Sequence, residues 1–581
     1  MVLPLWGQAY ILMANYRTDI LVIGSGAGGL TAALAAAQAG RKVVIAEKSK
    51  WWGGASATSG GFIWIPNSPL VPRTVANDSL EEAFQYIRAL TDPWVPDANI
   101  RAFLQGGGAM LEWLQDATRV RARPVPYADY RMHASGAKLA FRTHDIEPMD
   151  GRELGDHLET LRPSARAALL FNRLAFTMEE VHPLLHRTPG WPRVLAGVLA
   201  RYYLDIGQRL KSPRNRYLAA GNALLGRLRW SLAAHDSEIW LNSPLQELRT
   251  NANGVVTGAV LLRDGKTFEI NCDAVILASG GFEANASLRR AHLPGAWDVA
   301  ASGSVESNTG DALGIATAIG ASSRNLDSAW WGPMLRFPDE DRARLLTFER
   351  ALPGSLIVNQ AGRRYMNEAL AYDLAGKCMI DCDVPGAGTN PSWFLFDQRY
   401  RDSYPIGPIN PGIPLALHQK GARDMLTRES SWADVARKIG VSSAALEHTI
   451  ARFNANAKEG KDPEFGRGES AYDQFYGDPK VKPNPNLAPL DKPPFYAMPV
   501  IPGDIGTNGG LVTDADARVL NEQGQPILGL YATGNVTASV MGHSYPGAGA
   551  TLGPAMTFGF IAGRHAARVN DTRANDRGEA V

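Results

Sequence analysis

Residues 18–47 read TDILVIGSGAGGLTAALAAAQAGRKVVIAE, and this stretch decides the fold. An apolar strand runs into a Gly-x-Gly-x-x-Gly turn at Gly24, Gly26 and Gly29, and a small-residue helix leads to a second strand that ends at Glu47. In such a unit the first glycine allows a tight turn, the second allows a pyrophosphate to approach the backbone, and the third allows the helix to pack closely on the sheet. The acid at the end of the second strand holds ribose hydroxyls. The stretch predicts a Rossmann-like α/β domain that binds a dinucleotide.

The composition sets limits on the class of protein. The chain has 581 residues, which is enough for two or more domains, and it carries 59 basic and 58 acidic side chains. A balanced charge gives no general field for nucleic acid, so no nucleic-acid partner is expected. The three cysteines form no disulfide framework, and the spacing of Cys378 and Cys382 does not suit zinc, so we expect no metal and a cytoplasmic location. The uncharged first 16 residues lack the basic start of a signal peptide.

Changes in pattern along the chain predict its domain organisation. Residues 1–17 are expected to be an N-terminal extension, of which the part before Met13 has no structure. Residues 18–332 are expected to form the first part of the dinucleotide-binding domain. Residues 506–581 again show an apolar strand that runs into a glycine turn, and they are expected to complete the same domain. The intervening residues 333–505 are rich in proline and are expected to form an inserted α+β catalytic domain.

Local patterns predict several elements inside these domains. Apolar spacing indicates helices over residues 78–118 and 222–234. A hairpin is expected about the Asp264-Gly265 pair, and residues 275–278 read as a buried strand.

Small residues also follow the first acid, where residues 51–61 read WWGGASATSGG. Small side chains allow a flat ring system to lie close to the backbone. The residues predicted to contact the dinucleotide are Gly24, Ser25, Gly26, Gly28, Gly29, Glu47, Lys48, Gly54, Ala55, Ser56, Ser59, Gly60, Gly61, Ala278, Gly280, Gly534, Asn535, Gly549, Thr551 and Leu552.

The glycine turn alone does not choose between a nicotinamide and a flavin dinucleotide. Residues 18–47, 275–281 and 529–535 together resemble the fumarate reductase and succinate dehydrogenase flavoprotein superfamily, over nearly the whole chain. The resemblance implies FAD, with a nicotinamide dehydrogenase as the alternative. Some members attach FAD to a histidine after the first acid, but no histidine precedes His133 here, so the FAD is expected to be non-covalent.

The late run GHSYPGAGATLGP, residues 542–554, is an extended glycine loop that opens a helix. A phenol and several backbone N–H groups converge there, which is how an oxyanion is held. The run resembles the His-Thr-Tyr-Pro-Gly-x-Gly-x-Thr segment of 3-ketosteroid Δ1-dehydrogenases, and the resemblance implies that Tyr545 and Gly549 bind the 3-oxo group. The residues alone leave open a flavin-binding loop with an incidental tyrosine.

Two further tyrosines are implied by the same resemblance. Residues 364–373 read RYMNEALAYD and resemble the family's Asn-Glu-x-x-Pro-Tyr run, whose tyrosine removes the C2 proton; Tyr372 matches it, while Ala371 replaces the proline. Residues 126–130 read PYADY and resemble the family's Tyr-x-Asp-Tyr segment, which implies that Tyr130, or in reserve Tyr127, hydrogen-bonds the base. The alternative for Tyr372 is a tyrosine of the core, and the alternative for residues 126–130 is an aromatic loop near the cofactor.

The family resemblance implies an FAD-dependent 3-oxosteroid 1-dehydrogenase with a 3-ketosteroid substrate. A base takes the C2 proton, and hydride leaves C1 for the flavin N5. A free phenol has a pKa of about 10, so a neighbouring hydroxyl and amide dipoles are needed to make it a base. Alternatives are a Δ4-dehydrogenase, a dehydrogenase of smaller cyclic ketones such as 4-oxocyclohexane acids, and a fumarate-type reductase or electron-carrying flavoprotein. The electron acceptor is not identified, and a quinone is one candidate.

Residues 181–230 hold nine Lys or Arg and one acid, Asp205, among apolar residues at helical spacing. This pattern resembles a membrane-surface helix. One hypothesis is therefore a peripheral contact with the inner face of the membrane, and the alternative is a solvated helix on the flavin domain.

Overall fold

The structure, a computed structural model, describes residues 14–295 and 298–578. Its strands, in chain order, are β1 Ala14–Arg17, β2 Ile20–Ile23, β3 Val43–Ala46, β4 Ile63–Trp64, β5 Ala122–Pro124, β6 Thr143–Ile146, β7 Met149–Asp150, β8 Tyr217–Leu218, β9 Ser237–Trp240, β10 Leu245–Thr250, β11 Val256–Arg263, β12 Lys266–Asn271, β13 Ala274–Leu277, β14 Ser323–Arg324, β15 Ala329–Leu335, β16 Arg344–Leu345, β17 Ser355–Val358, β18 Ser392–Asp397, β19 Thr427–Glu429, β20 Phe495–Thr507, β21 Gly510–Leu511, β22 Arg518–Leu520 and β23 Pro526–Ala532. Its helices are α1 Ala27–Gln38, α2 Leu80–Leu90, α3 Asp97–Ala117, α4 His157–Thr160, α5 Met178–His186, α6 Trp191–Tyr203, α7 Ile206–Arg209, α8 Ala220–Leu232, α9 Ala286–His292, α10 Asp311–Ala318, α11 Tyr372–Asp381, α12 Gln398–Ser403, α13 Lys420–Asp424, α14 Trp432–Ile439, α15 Ser443–Lys458, α16 Ala471–Phe475 and α17 Leu552–Gly578.

The central sheet has the strand order β22-β23-β13-β2-β3-β9. The five strands from β23 to β9 run parallel, and β22 is an antiparallel edge. Every residue of β2, β3 and β13 is buried, because helices or a second layer cover both faces of a parallel sheet. The predicted α/β class with a Rossmann-like domain is confirmed.

The last helix returns to the first domain and packs on α1. The approach depends on glycine: a Cβ on Gly559 would lie 2.4 Å from the Gly28 carbonyl oxygen, and one on Gly563 would lie 2.3 Å from that of Ala32. Strand β23 meanwhile pairs with β13. The end of the chain thus completes the sheet and helix layer that residues 20–46 begin.

A second, four-stranded sheet has the order β1-β12-β11-β10. The predicted hairpin joins β11 to β12 through Asp264 and Gly265, whose φ angles of 50° and 73° suit a two-residue turn. Strand β1 pairs in parallel with β12. Residues 14–17 therefore belong to this sheet, and the prediction that they form an extension was wrong; residues 1–13 lie outside the described residues.

The inserted domain is built on an antiparallel sheet of order β16-β15-β20-β18-β17, with β19 also paired to β20. Ala329 at the start of β15 pairs with Thr507 at the end of β20. The predicted limits at residues 333 and 505 fall inside these two strands, so the sheet extends to residues 329 and 507.

The predicted helices over residues 78–118 and 222–234 correspond to α2, α3 and α8. The basic segment over residues 181–230 is not one surface helix. It continues from α5 through α6 and α7 to β8, and its last part is α8, which is buried along most of its length against the first domain. Within the described residues, no helix combines the length and apolar character needed to cross a bilayer.

Candidate active site

A cavity of about 1220 Å³ lies where the two domains meet. Ligand cavities usually measure about 300–1000 Å³, so this one has room for a dinucleotide and a second ligand. All the residues predicted to contact the dinucleotide line it, with the exception of Gly29.

The glycine turn explains that exception. Gly24 has a φ of 108°, and a Cβ there would lie 2.3 Å from the Ala278 carbonyl oxygen. A Cβ on Gly29 would lie 2.1 Å from the carbonyl oxygen of Gly24. Gly29 therefore acts behind the turn, where it lets α1 approach the sheet, as the sequence pattern implied.

The N-terminus of α1 faces the cavity. The first N–H groups of a helix have no intrahelical partner, and no side chain of the N-cap residue satisfies them here. The Ala27 N–H donates to Ser56 Oγ at 3.1 Å, and the backbone ladder of the helix begins with the Leu30 N–H, which donates to the Gly26 carbonyl oxygen. This is the geometry that binds a phosphate.

Glu47 lies at the end of β3 and is buried. Its Oε2 accepts hydrogen bonds from the Ser25 N–H at 3.2 Å and the Ser25 hydroxyl at 2.6 Å, and its Oε1 accepts one from the Ser49 N–H at 2.9 Å. A carboxylate has about four acceptor positions, so these bonds fix its orientation and leave room for one more donor.

Lys48 reaches across the cavity to a segment that the sequence analysis missed. Its Nζ lies 2.6 Å from Asp311 Oδ2 and also donates to Thr309. Residues 308–311 read Asn-Thr-Gly-Asp and line the cavity at the start of α10, with Gly310 at a φ of 77°. A glycine before an acid that begins a helix is the signal that would have indicated this segment.

The catalytic candidates Tyr130, Tyr372 and Tyr545 meet in one buried cluster beside the dinucleotide segment. The ring centroids are 5.5 Å apart for Tyr130 and Tyr545, 5.3 Å for Tyr372 and Tyr545, and 5.7 Å for Tyr130 and Tyr372. All three side chains line the cavity. The structure thus brings together residues that lie more than 150 positions apart in the sequence.

Tyr545 and Gly549 are held by a loop pinned to strand β4. Gly549 has a φ of 99°, and a Cβ there would lie 2.7 Å from the Phe62 carbonyl carbon and oxygen. The Trp64 N–H donates to the Gly549 carbonyl oxygen at 3.2 Å, and the Tyr130 N–H donates to that of Pro546 at 2.9 Å. The loop therefore has one defined backbone path.

Tyr372 is the first residue of α11, and Ala371 precedes it as the N-cap residue with φ −51° and ψ 141°. That φ lies within the range that proline imposes. The alanine at this position therefore has a backbone conformation that a proline could also adopt.

Burial dominates the titration of the three phenols. It raises the pKa of Tyr130 and of Tyr372 well above the usual value. Burial also raises the pKa of Tyr545, but interactions with the hydroxyls of Tyr372 and Thr551 and with the Gly549 backbone lower it. The Tyr545 hydroxyl therefore has three polar partners.

A second group of aromatic residues stands behind the first, and the sequence analysis did not single it out. The Tyr472 ring lies 4.9 Å from that of Tyr130 and 5.4 Å from that of Tyr476. Tyr127, the reserve candidate, packs 4.6 Å from Phe475 instead. Tyr130 is therefore the member of the pair that contacts Tyr372.

An ion pair fastens the two tyrosine segments together. Arg131 pairs with Asp373, and both side chains are buried. Because each is the neighbour of a cluster tyrosine, the pair holds Tyr130 against the start of α11.

The chain is similar to known proteins over nearly its whole length. The profile of the FAD binding domain family matches residues 19–552. A 3-oxosteroid 1-dehydrogenase of Mycobacterium tuberculosis is 39% identical over 576 residues, covering 96% of this chain and 99% of the other. A 4-oxocyclohexanecarboxylate 2-dehydrogenase of Sinomonas cyclohexanicum is 37% identical, covering 94% and 92%.

A solved structure is similar over the same range. The crystal structure of a 3-ketosteroid Δ1-dehydrogenase from Sterolibacterium denitrificans, in complex with 1,4-androstadiene-3,17-dione, superimposes with a TM-score of 0.91. It is 41% identical, and the match covers 95% of this chain and all of that one.

Proposed function

The chain belongs to the FAD binding domain family and, within it, to the 3-ketosteroid Δ1-dehydrogenases, and we propose that it is an FAD-dependent 3-oxosteroid 1-dehydrogenase. The observation that carries the proposal is the meeting of Tyr545, Gly549 and Tyr372 in the cavity that also holds the dinucleotide segments. The reaction introduces a C1–C2 double bond into ring A of a 3-ketosteroid.

The residues of the first domain fit FAD. The glycine turn leaves no room for side chains, the α1 amides face the pyrophosphate position, and Glu47 is oriented for a ribose hydroxyl. Bound FAD supplies the hydride acceptor. We propose that it is held without a covalent bond.

We propose that Tyr545 and Gly549 form an oxyanion hole. The Gly549 backbone is in hydrogen-bond contact with the Tyr545 hydroxyl, and both residues line the cavity. Donors fixed in a buried site stabilise the negative charge that develops on a 3-oxo oxygen when the neighbouring carbon loses a proton. We assign this role to the pair.

Tyr372 is the residue that we assign as the base for the C2 proton. Its ring is in contact with those of Tyr130 and Tyr545. Tyr130 is assigned as the residue that supports the phenolate, because a charged phenol in a buried site needs polar neighbours. Loss of the C2 proton prepares C1 to lose hydride.

The wall of the cavity favours a steroid over a small acid. Phe62, Tyr127, Phe475 and Tyr476 line it beside the tyrosine cluster. A fused apolar ring system binds by burial against such surfaces. Arg364, which lies near the start of the inserted domain, is paired with Glu368 and Asp462 and is not free to bind a dicarboxylate, so a fumarate-type reaction is less favoured.

A dehydrogenase of smaller cyclic ketones is the second candidate. The 37% identity with the 4-oxocyclohexanecarboxylate enzyme favours it, since the same donors and base suit any 3- or 4-oxo ring. A Δ4-dehydrogenase also needs oxyanion donors and a base, and it is the alternative that differs only in the position of the new double bond.

We also propose a cytoplasmic location with peripheral contact at the membrane. The support is the surface around α6 and α7, where Tyr203, Leu204, Ile206 and Leu210 are 53%, 74%, 63% and 83% exposed. The electron acceptor is proposed to be a quinone or another carrier that reaches the enzyme there.

The test is to incubate the purified holoenzyme with androst-4-ene-3,17-dione and a dye acceptor, and to identify the product by mass and NMR. The proposal requires the 1,4-diene. A product with unsaturation elsewhere, turnover of 4-oxocyclohexane acids alone, or fumarate reduction would contradict it. Acid precipitation of the same protein should release the flavin into the supernatant; flavin in the pellet would contradict non-covalent binding.

A further inference from the structure

His186 is a buried imidazole in the wall of the cavity, and it has no hydrogen-bond partner. The residue is 5% exposed and lines the same cavity as the three tyrosines. Its Nδ1 is enclosed and unpartnered among the described residues, while Nε2 also lacks a partner there but is not enclosed. Buried polar side-chain atoms are mostly hydrogen-bonded, so each exception needs an explanation. A ligand that fills the cavity would supply the missing partner.

The backbone around His186 holds the imidazole in a defined place. His186 is the last residue of α5, and Lys480 Nζ donates to its carbonyl oxygen and, at 3.2 Å, to that of Arg187. At the other end of the helix, Thr177 and Glu180 form a capping box. A side chain fixed in this way on a helix is better suited to recognition than one on a mobile loop.

A short segment connects His186 to the tyrosine cluster. Tyr476 lines the cavity and packs on Tyr472, with ring centroids 5.4 Å apart. Lys480, which holds the end of α5, follows Tyr476 by four residues, and four residues of chain span at most about 14 Å. His186 and the tyrosines therefore lie at two ends of one cavity wall, which one elongated substrate can contact at both ends.

The imidazole is a neutral hydrogen-bonding group. The His182 ring lies one turn earlier on α5, with its centroid 4.7 Å from that of His186. Burial, together with His182 and Lys480, lowers the pKa of His186 to about 4, against an opposite effect of Asp478. At neutral pH the ring therefore carries one N–H donor and one acceptor nitrogen.

The charges around this end of the cavity favour an anionic ligand group. Arg187 and Lys480 form no ion pair within residues 14–295 and 298–578. The acid that faces them, Asp478, already accepts hydrogen bonds from the Tyr404 hydroxyl at 2.7 Å and the Lys480 N–H at 2.9 Å. A hydrogen bond to a charged acceptor is stronger than one to a neutral acceptor. A carboxylate therefore gains more here than a ketone.

We propose that His186 is a specificity-determining residue that donates a hydrogen bond to a carboxylate on the ring D side chain of a 3-ketosteroid. The inference rests on the proposed function, because it requires ring A to be held at Tyr545 and Gly549. It names 3-oxosteroids with a short acidic side chain as preferred substrates over neutral 17-ketones.

The first test needs only the wild-type holoenzyme and two substrates, 3-oxoandrost-4-ene-17β-carboxylic acid and its methyl ester. The two share the ring system and differ in the charge of the side chain. We expect kcat/KM for steroid-dependent flavin reduction to be about 10-fold higher for the acid, as for one hydrogen bond to a charged group. Equal values, or a preference for the ester, would overturn the inference.

His186→Phe keeps a ring at this position and removes both nitrogens. It should lower kcat/KM for the acid about 10-fold and leave that for the methyl ester nearly unchanged. His186→Gln keeps an N–H donor and should retain part of the preference for the acid. His235→Phe is the control, because His235 is a partly buried histidine outside the cavity. Equal losses for acid and ester in His186→Phe, an equal loss in the control, or less discrimination in His186→Gln than in His186→Phe would overturn the inference.

Binding of the product separates this inference from the proposed function. Calorimetry with 3-oxoandrosta-1,4-diene-17β-carboxylic acid needs no turnover, and we expect its Kd to rise about 10-fold in His186→Phe while that of the methyl ester stays the same. If the wild type dehydrogenates no steroid, the proposed function fails, while binding of the acid that depends on His186 would still support the carboxylate site. If the wild type is active but binds the acid no more tightly than the ester, the inference alone fails.

Discussion

The ring of Tyr130 lies nearly parallel to that of Tyr545, with centroids 5.5 Å apart and an interplanar angle of 20°. Tyr372 lies against both rings. The assigned base and the assigned oxyanion donor therefore share one wall of the cavity. Removing one hydroxyl from this wall leaves the ring that packs there in place, but the hydroxyls of Tyr372 and Tyr545 interact with each other, so the two roles are separated by different measurements.

Tyr545→Phe should lower kcat about 100-fold or more, because it removes one donor to the developing enolate oxygen. Stopped-flow measurement of flavin reduction by a 3-ketosteroid checks this. Tyr404→Phe is the control: Tyr404 is also buried and loses a hydrogen bond of 2.7 Å to Asp478, but it lies outside the cavity. Equal losses in the two variants would argue against the oxyanion role.

Tyr372→Phe should fail by a different route. Without the phenol no base remains for the C2 proton, so both flavin reduction and exchange of the C2 hydrogen with solvent deuterium should be abolished. Steroid binding, followed by perturbation of the flavin spectrum, should largely survive because apolar burial holds the ring system. Near-normal turnover of every 3-ketone tested would show that the base is another group.

Gly29→Ala should prevent FAD binding or destabilise the fold. The new Cβ would lie 2.1 Å from the Gly24 carbonyl oxygen, so the turn or α1 must move. Gly314→Ala is the control, because Gly314 lies in α10 and a Cβ there meets no atom within 4 Å. That substitution should leave stability unchanged or raise it by about 0.5–1 kcal/mol. Flavin content after purification and thermal melting check both, and full flavin content in Gly29→Ala would refute the packing role.

The parts of the site that the sequence could predict are those whose local pattern carries a physical reason. The turn from Gly24 to Gly29 and the loop at Tyr545 are of this kind, and both line or support the cavity as expected. Tyr472 could not be found in this way, because its contact with Tyr130 joins residues far apart in sequence and no local pattern distinguishes it from a core tyrosine. Strand β1 was missed for a similar reason: its partner β12 lies some 250 residues later.

His144 should make stability fall in acid. It is fully buried on β6, its Nε2 lies 2.7 Å from Ser68 Oγ, and burial lowers its pKa to about 4 from a usual value of 6.5. A group whose pKa is lowered by folding stabilises the fold above its unfolded pKa and loses that contribution as the pH falls, here between 6.5 and about 4. The loss should reach about 3 kcal/mol.

The measurement is the pH dependence of urea unfolding for the wild type and His144→Gln. Burial raises the pKa values of Asp129 and Asp145 to about 6. These two carboxyl groups therefore make the fold less stable as the pH rises, which opposes the effect of His144. The difference between the two proteins isolates the histidine. Parallel curves from pH 7 to 4 would show that His144 takes up its proton equally in both states.

The surface formed by Leu204, Ile206 and Leu210 should bind anionic vesicles. These side chains are 74%, 63% and 83% exposed, and Lys211 beside them is also exposed and forms no ion pair among the described residues. Two contributions favour binding. The first is burial of the apolar side chains in the membrane interface, and the second is the attraction of anionic lipid for basic residues, which is worth about 1 kcal/mol for each Lys or Arg near the surface. Salt screens only the second contribution, so binding should weaken with salt without vanishing.

Replacing the three apolar residues by serine should weaken vesicle binding about 100-fold, because each side chain would bury its apolar surface in the membrane interface. Flavin content and activity in detergent-free solution should not change, because none of the three side chains is among those that line the cavity. Leu528→Ser is the control: that leucine is 50% exposed at the start of β23, outside the segment. Sedimentation with vesicles at low and high salt measures the effect. If the wild type stays in the supernatant at low salt, or if the control loses as much binding as the triple variant, the membrane contact assigned to this surface is wrong.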